Sequence, residues 1–162
     1  VAAGARAVIV GPAGSRTIPV EEVPIAPGKT SLGKGEIIAA IEVDTRPPRS
    51  SDAYLRFIPR TEMDIAVVGV GVNLTLDDTG TIQAARVALG AVAPTVVLVT
   101  EAADAILSTK LDETALERLG QACSAACQPI DDKRGTVEFR TKVAGVLARR
   151  TARIAYDRAG GA

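Results

Sequence analysis

The chain has 162 residues, 19 basic against 19 acidic side chains, and no histidine. That length suits one ordinary domain, or one domain with part of another, and a chain of this size buries roughly 70% of its unfolded surface without help from a metal or disulfide. The missing imidazole removes the commonest general base, the commonest metal ligand and every Ser-His-Asp or Cys-His arrangement. The balanced charge argues against a nucleic-acid binder, which would carry a basic excess or stripe.

Aromatics make up only 2% of the chain, so the core must be built from Ala, Val, Ile and Leu. No apolar run approaches the ~20 residues of a membrane span, and no signal-peptide pattern is present. The chain opens on Val1 rather than Met. Its start therefore reads as a processed N-terminus or as the edge of a piece of a longer protein. The two cysteines, Cys123 and Cys127, cannot complete a zinc site alone. They share a helical face with Leu116, Leu119 and Ala126 and are expected to be plain buried thiols. Low cysteine use suits a reducing compartment, hence a cytoplasmic location.

In chain order, Arg6 to Val10 reads as a buried strand ending at a Gly-Pro-Ala-Gly turn, and Thr17 to Val20 as a short β-like stretch. Pro24 to Gly35, with two prolines and three glycines, reads as loop. Glu36 to Val43 is a strand rich in β-branched residues: Ile37, Ile38, Ile41 and Val43. The polar run from Asp44 to Asp52, broken by Pro47 and Pro48, is the best linker in the chain. A domain boundary is expected there, between residues 1–50 and residues 53–158.

Tyr54 to Ile58 reads as a strand. From Asp64 to Asp77 the residues Ala66, Val68, Val70, Val72, Leu74 and Leu76 form a period-2 apolar row, with Gly69, Gly71, Asn73 and Thr75 opposite. That is a strand with one face on a core. Asp77 to Gly80 has hairpin-turn chemistry, and Ile82 to Val92 is the return strand. Three helices are expected: Glu101 to Leu107, Thr114 to Cys127 with a capping box at Thr114 and Glu117, and Val137 to Tyr156. The last has an apolar stripe of Phe139, Val143, Val146, Leu147 and Ile154. The expected architecture is α+β, a three-stranded antiparallel sheet packed on three helices.

Two motifs are decoys. Gly28-Lys29-Thr30 lacks the upstream glycine of a phosphate-binding loop and leads into a strand rather than a helix. Gly69-Val70-Gly71 lies inside a strand, not at the strand-to-helix turn of a dinucleotide fingerprint. The acidic pairs Asp77-Asp78 and Asp131-Asp132 read as a turn and a helix start. One cluster is less ordinary. Tyr54 and Phe57 flank Arg56, with Arg60 and Asp64 close behind. In a strand, Tyr54 and Arg56 face one way and Phe57 the other. Such a cluster is an edge-strand ion pair or a seat for an anionic, planar ligand.

The segment Ala7 to Pro19, AVIVGPAGSRTIP, resembles the end of the FAD-binding domain in flavoprotein subunits of molybdenum hydroxylases. This family includes aerobic carbon monoxide dehydrogenases and xanthine dehydrogenases. Pro27 to Leu32, followed by Gly35 to Ile38, is similar to the next family segment. Tyr54 to Val68, with Arg60 and Asp64-Ile65-Ala66, is similar to the start of the family's C-terminal domain. Asp132 to Arg140 resembles its last-helix signature, with Phe139 where Tyr is common. The ordered series spans residues 6 to 156.

The resemblance implies an oxidoreductase subunit that carries FAD and passes electrons from iron–sulfur clusters to an external acceptor. It implies two partners, a molybdenum-cofactor large subunit and an iron–sulfur small subunit. It also implies a partial FAD-binding subdomain in residues 1–50. Two positions map to flavin contacts: Ile38, whose backbone would lie at the flavin ring, and Arg56, where the family places a basic side chain. No catalytic residue and no metal ligand is expected in this chain. The family's glycine-rich loops for the FAD pyrophosphate lie upstream of the matched segments, so the chain is a fragment or a split subunit. The remaining alternatives are a non-catalytic assembly module that binds no FAD by itself, and an unrelated small α+β binding protein.

Overall fold

The computed structural model describes residues 1–61 and 64–161. Arg6–Gly11 (β1) and Gly14–Pro19 (β2) form a hairpin, followed by a 3-10 turn at Val20–Glu22. Pro24–Ala26 (β3) and Lys29–Thr30 (β4) make a small two-stranded ladder inside the stretch expected to be loop. Ile37–Glu42 (β5) pairs antiparallel with β1, giving a first sheet of order β2-β1-β5 with a bulge beside Val8 and Ile9. Ala7 and Ile9 are buried, whereas every residue of β5 is exposed. The apolar composition of β5 reads as core material, but nothing in the described residues covers it.

The second sheet begins at Ser50, within the run read as a linker. Ser50–Phe57 (β6), Val68–Leu76 (β7), Ile82–Gly90 (β8) and Val97–Leu98 (β9) lie in that order, all antiparallel. The short β9 adds a fourth strand to the three expected. Along β7 the residues Val68, Val70, Val72, Leu74 and Leu76 are buried, as the alternation requires. The hairpin turn is held by Asp77. Its Oδ1 accepts from the Thr79 amide at 2.8 Å, the Thr81 amide at 2.9 Å and the Thr79 hydroxyl at 2.7 Å. These bonds, that from the Thr79 hydroxyl first, hold the Asp77 carboxyl below its ordinary range.

Three helices cover the inner face: Thr100–Asp104 (α1), Glu113–Ala125 (α2) and Val137–Arg158 (α3). The cap of α2 is Asp112, whose Oδ1 accepts from the Ala115 amide at 2.8 Å. Thr114 lies inside the first turn, so the expected capping box is displaced. Thr136 caps α3, and Asp131 accepts from the Val137 amide.

The buried stripe of α3 differs from the expected one. Ala144, Gly145, Leu147, Ala148, Thr151, Ala152, Ala155 and Tyr156 face inward, while Phe139 and Val146 are exposed. Close approach of α3 to α2 and to the sheet selects small side chains over large apolar ones. Arg140, buried on the same helix, donates to the Val67 carbonyl at 2.7 Å and to Asp132 at 2.7 Å. Cys123 is fully buried and Cys127 half-buried; burial pushes the Cys123 thiol up to about 12.

Candidate functional site

Register fixes which side chains share a face. On the outer face of the second sheet, Arg56 stands opposite Gly69 and Gly69 opposite Gly90. The next row is Tyr54, Gly71 and Ala88, and the next Asp52, Asn73 and Arg86. Phe57 points to the inner face and meets Phe139 edge-on, with ring centroids 5.7 Å apart. The expected division of Tyr54 and Arg56 from Phe57 therefore holds.

The first two rows carry almost no bulk beyond β6, only Gly69, Gly90, Gly71 and Ala88. A Cβ on Gly69 would fall 2.6 Å from the Tyr54 hydroxyl oxygen, because the ring lies across this glycine. A Cβ on Gly71 would fall 3.1 Å from the Ala2 methyl. The chain start thus lies against the outer face, and both glycines are buried on it. A cavity of about 390 Å³ remains there, lined among others by Ala2, Tyr54, Gly69, Gly90 and Arg158. That size is within the ~300–1,000 Å³ range of small-molecule sites. Neither Arg56 nor Ile38 lines it.

Arg56 is exposed and has no hydrogen-bond or ion-pair partner among the described residues. The nearby Arg60 is engaged: it and Arg134 both reach Asp64 at 3.5 Å. Burial works against the Asp64 charge, yet the Ile65 amide and the two guanidinium groups hold the carboxyl below its usual range. So Arg60 and Asp64 form the ion pair of this cluster, and Arg56 has no charged partner among the described residues. Ile38 lies elsewhere, on β5 of the first sheet, opposite Ile9 and partly exposed. β5 is an edge strand among the described residues: one side pairs with β1 and no described strand lies on the other. The two expected site residues thus sit in different sheets.

A polar contact that the sequence did not signal joins the two sheets. Arg86 donates to Glu21 at 3.0 Å and to the Val1 carbonyl at 3.2 Å. Glu21 follows β2 by two residues, and Arg86 lies in β8; their separation of 65 positions leaves no local pattern to read. Among the described residues, no cluster of three or more metal-ligating side chains is found, and no helix is long and apolar enough to cross a membrane.

Residues 53–155 match the family model of the CO dehydrogenase flavoprotein C-terminal domain. The chain belongs to this family. It is 32% identical to the carbon monoxide dehydrogenase medium chain of Afipia carboxidovorans over 96% of its own length and 54% of the relative's. It is 27% identical to the xanthine dehydrogenase FAD-binding subunit of Escherichia coli O157:H7, over 93% of this chain and 51% of that subunit. Among solved structures, the reconstituted CO dehydrogenase from Oligotropha carboxidovorans superposes with a TM-score of 0.91 at 30% identity, covering 97% of this chain and 54% of that one. The resemblance read from the sequence and the α+β architecture are both borne out. The chain spans about half the length of the curated relatives it matches.

Proposed function

We propose that this chain forms the ring-side part of the FAD site in a molybdenum hydroxylase flavoprotein subunit. The subunit receives electrons from iron–sulfur clusters and delivers them to an external acceptor, in a complex with an iron–sulfur subunit and a molybdenum-cofactor subunit in the cytoplasm. The observation that carries this reading is Arg56: a guanidinium with no partner among the described residues, on a glycine-floored sheet face, at the position where the resemblance places a basic flavin contact.

The residues fit one end of FAD. Arg56 offers a fixed positive charge, and β5 offers an exposed apolar surface and an open backbone edge at Ile38. They do not fit the pyrophosphate end. Gly28 lies in the turn between β3 and β4, and Lys29 and Thr30 form β4, not the start of a helix, so they make no phosphate cradle. The other FAD contacts must come from sequence outside residues 1–162. Bound FAD supplies the two-electron chemistry of the subunit. With FAD bound, Arg56 would supply a fixed positive charge that favours the reduced, anionic flavin. Residues 1–50 and 53–158 would act as two units, the first contributing β5 and the second β6 to the flavin site.

The test is redox titration of the reconstituted flavoprotein. Arg56→Ala should lower the flavin potential by about 10–30 mV, where about 30 mV is a tenfold change for a two-electron couple. The melting temperature should hardly move, as expected for an exposed side chain. An unchanged potential with a large loss of melting temperature would make Arg56 a structural residue. A second reading, an assembly module that binds no FAD, is favoured by the missing phosphate cradle. It predicts that the reconstituted protein loses all flavin on dialysis.

A further inference from the structure

We propose that Glu21 and Arg86 are positioning residues, and that their ion pair sets how the first sheet stands against the Arg56 face of the second. The proposal rests on the flavin reading only where it concerns the flavin itself.

Arg86 projects from β8 on the same outer face as Arg56 and Tyr54, in the row of Asp52 and Asn73. Glu21 sits in the 3-10 turn directly after β2. That turn is tied back to the first sheet, because the Val20 amide donates to the Ala5 carbonyl at 3.1 Å. β2 pairs with β1, and β1 pairs with β5. A displacement of Glu21 is therefore transmitted through two ladders to Ile38.

Among the described residues, Arg86 makes the side-chain hydrogen bonds that join residues 1–45 to residues 50–161, one to Glu21 and one to the Val1 carbonyl. Beside these bonds stands an apolar contact without direction, Ala2 on Gly71. Gly4, at a φ of +68°, lays its backbone over the guanidinium, where a Cβ would come 3.7 Å from Arg86 Nε. Small apolar contacts hold two surfaces together but tolerate sliding, whereas a charge-assisted hydrogen bond fixes direction.

The pair is also committed. Glu21 Oε2 and Arg86 Nε are both buried and have no hydrogen-bond partner among the described residues. The Arg86 side chain keeps 40% of its exposure and that of Glu21 20%, so solvent screens the loss of either charge and the cost to folding is small. The contact therefore acts on orientation more than on folding of the second unit, whose core lies on the opposite face of its sheet.

The experiment uses residues 1–162 with Cys127→Ser, Ala39→Cys and Arg118→Cys, spin-labelled at the two new thiols. Ala39 is exposed on β5 and Arg118 on α2; Cys123 is buried and stays unlabelled. The parent should give one narrow inter-label distance. Arg86→Met and Glu21→Gln should each broaden it, and cleavage between Asp44 and Ser50 should accelerate by about tenfold. The charge swap, Glu21→Arg with Arg86→Glu, should narrow the distance again, which mere loss of stability would not allow. Should Arg86→Met fail to fold, the near-isosteric Glu21→Gln carries the same test.

An unchanged distance in Glu21→Gln overturns the proposal. So does a swap variant as broad as the single variants. In the reconstituted flavoprotein, a flavin potential that shifts with the distance in Glu21→Gln extends the positioning to the cofactor. A changed distance with an unmoved potential supports the positioning role and counts against the assignment of Arg56 to the flavin.

Discussion

Gly145 of α3 faces Gly120 of α2 so closely that a Cβ on Gly145 would lie 2.8 Å from the Gly120 carbonyl oxygen. The same Cβ would lie 2.6 Å from the Ser124 hydroxyl oxygen. The serine can turn away, but the carbonyl belongs to helix backbone, so the helices would have to separate. Gly145→Ala should cost about 2–3 kcal/mol as overpacking, and adding Ser124→Ala should not restore it. Gly120→Ala should be far milder. Its Cβ would meet the flexible Arg149 side chain at 3.1 Å and the Gly145 carbonyl oxygen at 3.2 Å, tight but 0.4 Å wider than the reverse contact, and the helix gains roughly 1 kcal/mol in propensity. Urea denaturation of the three variants checks this order.

Arg140 is the most consequential buried charge. Its guanidinium spans the Val67 and Ala91 carbonyls on one side and Asp132 on the other, with the Gly135 carbonyl between. Arg140→Met should cost about 3 kcal/mol, because it strips donors from buried carbonyls and a partner from Asp132. Arg140→Lys should recover less than half, since a compact ammonium cannot bridge both sides. Denaturant midpoints of the two variants measure the difference.

Glu36 titrates far from the usual range. The Arg16 guanidinium, followed by the Gly33 amide, lowers its carboxyl from 4.5 to about 2. A lowered folded value means that its stabilisation is complete above about pH 4.5 and is lost as pH falls towards 2. NMR titration of the Glu36 carboxyl should show it ionised at pH 3. In Arg16→Ala the midpoint should rise towards the ordinary value.

Cys123 should be inert in the native protein. Its thiol is buried and shifted up to about 12, so the thiolate is scarce at neutral pH. Cys127 is half-buried and donates weakly to the Cys123 carbonyl. Brief alkylation followed by mass spectrometry should modify Cys127 slowly and leave Cys123 unmodified. In denaturant both should react at similar rates.

The parts of this fold that were legible carry their signal within a few residues. The alternation from Val68 to Leu76 specifies a strand and its buried face, and Asp77 with Gly80 specifies the turn. Membership of the flavoprotein family was legible because short segments recur in a fixed order. The cap of α2 was read two residues late, since Asp112 and Thr114 are both competent cap residues and only backbone geometry separates them. The buried stripe of α3 was misread for a different reason. Where helices cross closely, alanine and glycine are buried, and Phe139 and Val146 are left outside. Arg140 and the Glu21–Arg86 pair join residues far apart in sequence, so no local pattern could announce them. Exposure of β5 was hidden because composition reports what a strand needs covered, not what covers it.

That exposure governs how the chain behaves in a tube. β5 combines three exposed isoleucines, an open backbone edge and a single charged residue, Glu42. Proline and lysine, the usual guards of a strand edge, are absent from it. Two copies of residues 1–162 could zip together along this edge, so clouding of a stored sample would depend on its concentration before its temperature. Trimming the chain to begin near Ser50 would remove the offending edge and keep the second sheet with its three helices, so that clouding with the edge gone should no longer rise with concentration.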